Sequence, residues 1–254
     1  MNLLAVDSAS SILSVAVSRG ETIHYAETEA GMKHSELVMD LIDSQMKDAC
    51  LEPKDLDGVL CMGGPGSFTG LRIGYSIAKG LALSLSVPFA PIPTLDCIAL
   101  PFCKRGSVLA VMQARKNAYF YASFKDGERA KPDEDAETDK IAQEIERLKK
   151  DAEKITLTGP ASASLCDALS QELKNCICLE FENRGYAKEI ITIAKMRKIF
   201  DNNNDAYLYL GPEYIRKTDT ELNLAENEDK VTFCGGDCGF DKSFGKFIEE
   251  SKNK

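Results

Sequence analysis

The sequence predicts an α/β protein in which two successive units each place helices around a mixed sheet. The chain opens on LLAVDSAS and ILSVAVSRGETIHYAET, where an apolar run and then alternation indicate a β-meander. Helical and extended segments alternate after it. Near Lys104 the pattern restarts with SVLAVMQAR and AYFYASF, joined by a turn at 115–117. We interpret this restart as a structural duplication, although no residue-level repeat is visible in the sequence.

Two amphipathic helices are predicted in the first unit. The first runs from about Lys33 to Ala49 and the second from about Thr69 to Leu85, with the strand GVLCMG between them. The stretch VPFAPIPTL follows as extended chain, because its three prolines do not fit a helix. The apolar spacing of the first helix is carried by Leu37, Val38, Leu41, Ile42 and Met46.

The second unit continues the alternation after a charged stretch. KDGERAKPDEDAETDK lacks apolar periodicity and is predicted to be a solvated loop. Helix, strand, helix, strand and helix then follow in IAQEIERLKK, KITLTG, ASLCDALSQEL, CICLEF and EIITIAKMRKIF. We therefore predict domains over 1–103 and 104–222, and a flexible or weakly docked tail over 223–254.

Length and charge narrow the classes of function. A chain of 254 residues can bury two cores without disulfides or metals. Its start, MNLLAVDSASSI, has neither a basic segment nor a long apolar run, so we expect no signal peptide, no transmembrane helix and a cytoplasmic location. The net charge of −9 disfavours a broad phosphate-binding surface. If the protein serves RNA, we expect another component to hold it.

The nine cysteines form an odd set without regular spacing, and several lie in apolar runs. We interpret them mostly as small buried apolar residues. A four-thiolate zinc site from Cys176, Cys178, Cys234 and Cys238 is the alternative. Neither pair has the usual Cys-x-x-Cys spacing, and strand alternation is expected to place both thiols of the first pair on one face. No metal site is predicted.

The stretch GGPGSFTGLRIG at 63–74 raises the question of a phosphate-binding loop. It fits neither the Walker A template nor Gly-x-Gly-x-x-Gly. One interpretation is a sharp strand-to-helix reversal in which Ser67 or Thr69 caps the helix. The other is an anion site made by the free amides of the helix start with Arg72 beside them.

Small residues recur every four positions along the second helix, at Gly70, Gly74, Ala78 and Ala82. Glycine inside a helix costs about 1 kcal/mol relative to alanine, so close approach of another backbone is expected. That backbone belongs either to the protein's own sheet or to a partner helix. For the second alternative the candidate partner-binding residues are Leu37, Leu41, Met46, Gly70, Leu71, Gly74, Ala78, Leu81 and Ala82.

Five segments resemble, in order and spacing, the bacterial TsaB (YeaZ) family. They are LLAVDSASSILSVAV at the start, KHSE at 33–36, GPGSFTGLRIG at 64–74, MQARKNAYFYASF at 112–124 and PEYIRKTD at 212–219. GPGSFTGLRIG is the specific segment among them. The resemblance covers about residues 1–220 and leaves the tail unexplained. It implies two tandem ribonuclease-H-like domains, which is the actin and sugar-kinase (ASKHA) fold.

The resemblance implies a non-catalytic scaffold or activating subunit rather than an enzyme. TsaB-like proteins look like degenerate copies of TsaD, beside which they work in making threonylcarbamoyladenosine, the modified tRNA adenosine next to the anticodon. The implied partners are a TsaD-like catalytic subunit bound through the helical face, a TsaE-like ATPase, a second copy of the isolated chain, and tRNA only indirectly. Arg115, in MQARKNAYFY, becomes a candidate contact.

An ATP-binding phosphotransferase or hydrolase of the same fold is the alternative function. It would place Asp7, Ser67, Thr69 and Arg72 around phosphate. Members of the fold that bind ATP carry Asp-x-Gly-Thr, whereas this chain reads DSAS from Asp7 and lacks the glycine that lets a turn approach phosphate. We therefore expect no intrinsic cofactor, with ATP or ADP entering only at the assembled complex.

The two histidines offer little to a metal or a hydrolytic site. A TsaD-type metal site needs a closely spaced histidine pair, and His24 and His34 lie ten residues apart in different predicted elements. The run of His34, Ser35 and Glu36 suggests a hydrolytic group, but neighbouring residues on a helix point in different directions. We favour a helix start in which Ser35 caps and Glu36 complements the helix dipole.

Overall fold

The first of two mixed β-sheets is built from the amino-terminal third of the chain. The computed structural model describes residues 1–150, 152–181, 183–201 and 205–215. The strands of this sheet are β1 (Leu3–Asp7), β2 (Ile12–Arg19), β3 (Thr22–Glu29), β4 (Gly58–Gly64) and β5 (Phe89–Pro93). They lie in the order β3-β2-β1-β4-β5, antiparallel through the meander and parallel from β1 to β5.

The second sheet repeats this arrangement. Its strands are β6 (Ser107–Arg115), β7 (Ala118–Lys125), β8 (Glu128–Arg129), β9 (Glu134–Glu137), β10 (Ile155–Thr158) and β11 (Ile177–Glu180). They lie in the order β11-β10-β6-β7-β8, and β9 pairs with β7. The two meanders and the parallel strands that follow them therefore occupy equivalent places, as expected for a duplicated unit.

Seven α-helices surround the sheets in the described residues. They are α1 (His34–Asp48), α2 (Phe68–Leu85), α3 (Thr94–Ala99), α4 (Thr138–Lys149), α5 (Ser162–Ala168), α6 (Gln171–Lys174) and α7 (Ala187–Met196). Short 3₁₀ turns lie at Pro53–Asp55, Leu100–Arg105 and Asp205–Tyr209. No helix in the described part of the chain combines the length and the apolar character needed to cross a bilayer.

Three apolar clusters divide the core into layers. α1 and α2 pack on the outer face of the first sheet, and α4 and α5 pack on the outer face of the second. The central cluster joins the inner faces of both sheets to α3 and α7. α3 packs on β6 of the second sheet, whereas α7 packs on β1 and β2 of the first. Each half thus supplies a helix to the sheet of the other half, and one core joins them.

Burial on both faces explains the apolar central strands. All five residues of β1 and all seven of β4 are buried, because helices cover the sheet on both sides. Leu3 of β1 lies opposite Ser18 of β2 and opposite Gly58 of β4, which fixes the register. The continuous apolar runs that predicted buried strands therefore reflect a sheet enclosed between two helical layers.

The predicted fold class is confirmed, and the two amphipathic helices begin and end within a residue of the predicted positions. Three local predictions are wrong. The charged stretch predicted as a loop contains β8 and β9, where pairing with β7 and burial of Ala136 supply what periodicity lacks. The stretch VPFAPIPTL is extended only as far as Pro93, where β5 ends, and its last two residues, Thr94 and Leu95, begin the helix α3. ASLCDALSQEL forms two helices, because Leu169 is extended and Ser170 caps α6.

A residue-level repeat also exists, contrary to the sequence interpretation. Gly-Pro-Gly-Ser at 64–67 begins at the last residue of β4, and Gly-Pro-Ala-Ser at 159–162 follows β10. Gly64 and Gly159 share a left-handed backbone, with φ of 112° and 110°. Four residues are too few to detect without the structure. The domain boundaries at 103 and 222 stay predictions, and the tail over 223–254 lies outside the described residues.

The cysteines occupy mixed environments. Cys61, Cys97 and Cys176 are buried, whereas Cys50 and Cys178 are exposed. Burial raises the pKa of the Cys61 and Cys97 thiols well above the ordinary value, as expected for inert core residues. The prediction that Cys176 and Cys178 share one face is wrong, because Cys176 precedes β11 and points into the core. The other two members of the proposed zinc set lie outside the described residues.

Candidate functional site

The glycine-rich loop makes the reversal from β4 into α2. Ser67 is the amino-terminal cap of α2, and its Oγ accepts a hydrogen bond from the Gly70 amide at 3.2 Å. This confirms the first interpretation of the loop, with Ser67 rather than Thr69 as the cap. The Ser67 amide in turn donates to the Ala9 carbonyl at 2.8 Å, so the loop is tied to the turn between β1 and β2.

Two glycines permit that contact. A Cβ on Gly70 would overlap the Ser8 carbonyl oxygen, and a Cβ on Gly66 would lie 2.9 Å from Ala9 atoms. The Ser8 Oγ donates to the Gly70 carbonyl at 2.8 Å. The space that a phosphate would need beside these glycines is therefore filled by the chain's own DSAS turn. The glycines serve the approach of one backbone to another.

Asp7 is fully buried at the end of β1 and caps the start of α7. Its Oδ2 accepts from the Tyr186 amide at 2.8 Å and its Oδ1 from the Ala9 amide at 3.1 Å. Next to it, Ser14 Oγ accepts from the Ala187 amide at 3.1 Å. Burial raises the pKa of the Asp7 carboxyl to about 6, although the two amides lower it. Asp7 therefore acts across the central layer as a structural cap.

The four predicted phosphate-site residues do not form one open site. Asp7 faces α7, and Ser67 is occupied as a helix cap. Thr69 is exposed on the first turn of α2. Arg72 points to the other flank, where its Nε donates to the Tyr214 hydroxyl at 3.0 Å and its guanidinium lies over the Phe68 ring. The geometry favours structural roles for Asp7, Ser67 and Arg72.

The other polar candidates are likewise engaged within the chain. His34 opens α1 and its buried Nε2 lies 2.9 Å from the Ser10 carbonyl oxygen. The prediction that Ser35 caps this helix is wrong, because Lys33 holds the cap position and no side-chain cap bond forms. Arg115 ends β6 and pairs with carboxylates of Asp135 and Glu137, which accounts for its charge within the sheet.

The small-residue stripe of α2 faces the protein's own sheet. Six of the nine predicted partner-binding residues are buried: Met46, Gly70, Leu71, Gly74, Ala78 and Ala82. Gly74 lies against Ser8 and Cys61, and Ala78 and Ala82 belong to the outer cluster of the first sheet. Because these six side chains are buried in the chain's own fold, the structure does not favour the prediction that they contact a partner directly. Leu37, Leu41 and Leu81 remain partly exposed.

Sequence reasoning missed a second small-residue stripe on the outside of α2. Ser76, Gly80 and Ser84 are exposed and lie at four-residue spacing. Nothing lies within 4 Å of a Cβ built on Gly80, so packing within the chain does not require a glycine at this position. Half-buried Ile73, Ile77 and Leu81 flank this stripe. The spacing was readable in the sequence, but only the structure separates the inner stripe from the outer one.

A family model decides the assignment of the chain. The model for TsaD, tRNA N6-adenosine threonylcarbamoyltransferase, matches residues 24–229. The chain belongs to the TsaD family. The resemblance to TsaB (YeaZ) drawn from the motifs is confirmed by curated relatives within this family assignment.

Curated TsaB proteins are similar over different lengths. The tRNA threonylcarbamoyladenosine biosynthesis protein TsaB of Bacillus subtilis is 26% identical, with 90% of this chain and 100% of that protein covered. TsaB of Haemophilus influenzae is 33% identical over 48% of this chain and 53% of its own length. TsaB of Escherichia coli is 30% identical over 49% and 55%. The chain thus spans about half the length of the latter two.

Two solved structures from Pseudomonas aeruginosa share the fold. A Pseudomonas aeruginosa protein described as similar to peptidase YeaZ superposes with a TM-score of 0.71 at 19% identity, covering 85% of this chain and 99% of that one. YeaZ from the same organism gives 0.69 at 18% identity, with 84% and 99% covered. At these identities the likeness establishes the two-sheet architecture and no activity.

Proposed function

We propose that the protein is a non-catalytic subunit in tRNA threonylcarbamoyladenosine biosynthesis and docks a TsaD-like catalytic subunit through the outside of α1 and α2. The docking face consists of Leu37, Leu41, Ile73, Ile77, Gly80 and Leu81. One observation carries the proposal: the outer face of α2 carries half-buried aliphatic side chains around an open glycine, whereas the exposed side of α4 on the second sheet is charged. The TsaB relatives supply the pathway.

The contrast is between α2 and α4, because the exposed side of α1 is itself charged, with Glu36, Asp40, Asp43 and Lys47. α4 packs on the second sheet as α1 packs on the first, and its inward residues Ile141, Ile145 and Leu148 are buried. Its exposed side is polar and charged, with Asp139, Lys140, Gln143, Glu146 and Arg147. A solvated outer face is the ordinary state of a surface helix. The apolar outer face of α2 therefore calls for a partner that removes it from water.

Gly80 adds support from local energetics. A glycine inside a helix costs about 1 kcal/mol relative to alanine. Gly70 and Gly74 recover this cost through close contact with the DSAS turn, but Gly80 has open space beside it. Close approach of a partner backbone along Ser76, Gly80 and Ser84 would account for the glycine.

The contacts of the candidate phosphate-site residues favour a non-catalytic role over catalysis. Both oxygens of Asp7 accept backbone amides, and Arg72 bonds to Tyr214. In the part of the chain that the structure describes, no group of three or more His, Cys, Asp or Glu side chains is placed to hold a metal ion. We propose that any ATP or ADP is bound where the two subunits meet. A TsaE-like ATPase would then join the assembled complex. We expect tRNA to be held by the other subunits, because the net charge of −9 disfavours a broad phosphate-binding surface on this chain.

The test is sedimentation velocity of the full chain, alone and mixed with the same organism's TsaD-like subunit. Gly80→Arg places a long charged side chain in the centre of the docking face, at a position where a built Cβ has no neighbour within 4 Å. Gln143→Arg makes the same charge change on the exposed side of α4 and is the matched control. We expect wild type and Gln143→Arg to form the heterodimer and Gly80→Arg to lose it.

Two results would overturn the proposal. If Gly80→Arg binds the catalytic subunit as well as the control does, the docking face lies elsewhere. If the purified chain alone hydrolyses ATP, the non-catalytic role fails, and the phosphotransferase or hydrolase becomes the better explanation. Sedimentation of the wild type by itself also tests the proposed homodimer, which would use the same face and so dissociate in Gly80→Arg.

A further inference from the structure

The segment after α7 returns across the molecule to the flank of α2. Residues 205–215, here called the strap, begin with the 3₁₀ turn Asp205–Tyr209, which packs beside the edge strand β5. Tyr207 and Leu208 are partly buried against the outer cluster of the first sheet. Since α1 lies over β2 and α2 over β4, the strap lies on the side of α2 away from α1.

Side chains of α2 hold the strap at two points. Lys79 Nζ donates to the Leu208 carbonyl at 2.8 Å and also to the Leu210 carbonyl. At the other end the Phe68 and Tyr214 rings stack with centroids 4.3 Å apart and planes 9° from parallel. These bonds attach the strap to one flank of the helix and leave the outer stripe around Gly80 open.

A latch of three residues fixes the far end of the strap. The Arg72 guanidinium lies 5.5 Å from the Phe68 ring centre and 5.7 Å from that of Tyr214, and its Nε donates to the Tyr214 hydroxyl. The Glu213 amide donates to the Gly63 carbonyl at 2.9 Å, at the start of the glycine loop. The strap is therefore anchored to the same loop that sets the direction of α2.

The strap continues the apolar surface of α2. Tyr209 is 89% exposed, Leu210 52% and Tyr214 39%, and Leu83, one turn beyond Lys79 on the same flank, is 64% exposed. These are four of the ten large apolar side chains exposed in the described residues. Exposed aromatic and aliphatic groups gathered beside an open helix face are typical of an interface.

We infer that the strap is a second part of the docking surface, held ready for the partner by the latch of Phe68, Arg72 and Tyr214. This rests on the docking proposed above, and the occupant is the same TsaD-like subunit. The occupant is the same because the strap is bonded to Lys79 and stacked on Phe68 of the helix that carries the docking face. A partner helix lying along Gly80 would therefore also meet Leu83 and the strap, on the side of α2 away from α1.

The experiment measures the affinity of the full chain for the TsaD-like subunit by calorimetry. Tyr209→Ser with Leu210→Ser removes exposed strap groups that make no latch bond. Tyr214→Ala removes the latch. Met196→Ser is the matched control, because Met196 is 68% exposed at the end of α7. We expect both strap variants to bind at least about tenfold more weakly and the control to bind like the wild type.

Hydrogen exchange of the isolated proteins separates the two roles. Tyr214→Ala should speed amide exchange in 205–215, whereas the double variant should leave it unchanged. If both strap variants bind within about twofold of the wild type while Gly80→Arg loses binding, the strap inference fails and the docking face stands. If the wild type does not bind, both fail. A strap that exchanges rapidly in the wild type would also overturn the latch.

Discussion

The two halves of the molecule share one topology but differ in what their outer helices and inner caps do. In the first half a long, apolar α2 presents an open outer face, and in the second the corresponding chain is broken into α5 and α6 beside a charged α4. Both halves enter their helix through Gly-Pro-x-Ser, and Ala161 stands where the first half has Gly66. The same framework can therefore carry either a charged, solvated outer surface or an open one with aliphatic side chains.

The glycine loops sharpen this comparison. The first-half loop is packed on the DSAS turn so closely that Gly70 leaves no space for a Cβ. In the second half, Gly159 approaches the Val111 carbonyl instead, and alanine is accepted two residues later. Both reversals therefore bring two backbones close together, and the halves differ in which glycine makes the contact and which segment it meets.

Gly70→Ala should have the largest effect on stability. Its methyl group would overlap the Ser8 carbonyl, so backbone must move, and the free energy of unfolding should fall by about 3 kcal/mol. Gly80→Ala is the matched control in the same helix and should raise it by about 0.5–1 kcal/mol. Urea unfolding followed by circular dichroism measures both. Equal effects of the two substitutions would show that the inner and outer stripes do not differ.

Asp7 provides a pH test of the cap on α7. Burial raises the pKa of its carboxyl from 3.8 to about 6, with Glu189 adding to the rise and His34 opposing it. The folded state thus holds the proton more tightly than the unfolded state. The stability that folding gains by holding this proton on Asp7 is therefore complete below about pH 4, and it is lost as the pH rises through about 6.

Asp7→Asn should flatten that dependence. Between about pH 4 and pH 7 the wild type should lose up to about 3 kcal/mol of unfolding free energy relative to the variant. Urea midpoints at a series of pH values give the difference, in which the titration of the other groups largely cancels. Parallel profiles for the two proteins would mean that the carboxyl binds no more protons in the folded state than in the unfolded state over this range, so that folding does not raise its pKa.

We expect the smallest changes in stability from substitutions at the residues that hold the starts of α7 and α3. Ser14 accepts from the Ala187 amide, so Ser14→Ala should cost about 1 kcal/mol. In the second sheet the inward pairs of β6 and β7 are apolar, as at Ala110 and Ala122. The Thr94 hydroxyl that opens α3 is buried without a partner. Thr94→Val should therefore be neutral or stabilise by about 1 kcal/mol. Thermal unfolding of both variants decides, and a large loss in Thr94→Val would contradict the comparison.

Much of the fold was predictable because it rests on local pattern. Continuous apolar runs placed β1 and β4, and helical periodicity placed α1 and α2 to within a residue. β9 and α3 were missed because their stability comes from pairing with β7 and from packing on β6, which leave no period in the sequence. The cap role of Ser67 was predictable, while that of Asp7 was not, since its amide partner lies 179 residues away.

The sequence by itself determined the α/β class, the duplicated order of elements, the glycine-rich entry to α2 and the family. These depend on residue types at short spacing, which a single chain displays in full. Only the tertiary structure decided which side of α2 is inside, why Gly70 and Gly80 have opposite roles, and that Asp7 is a cap. The physical reason is that burial, close approach and desolvation depend on which distant segment lies against a residue, and short-range sequence pattern does not contain that information.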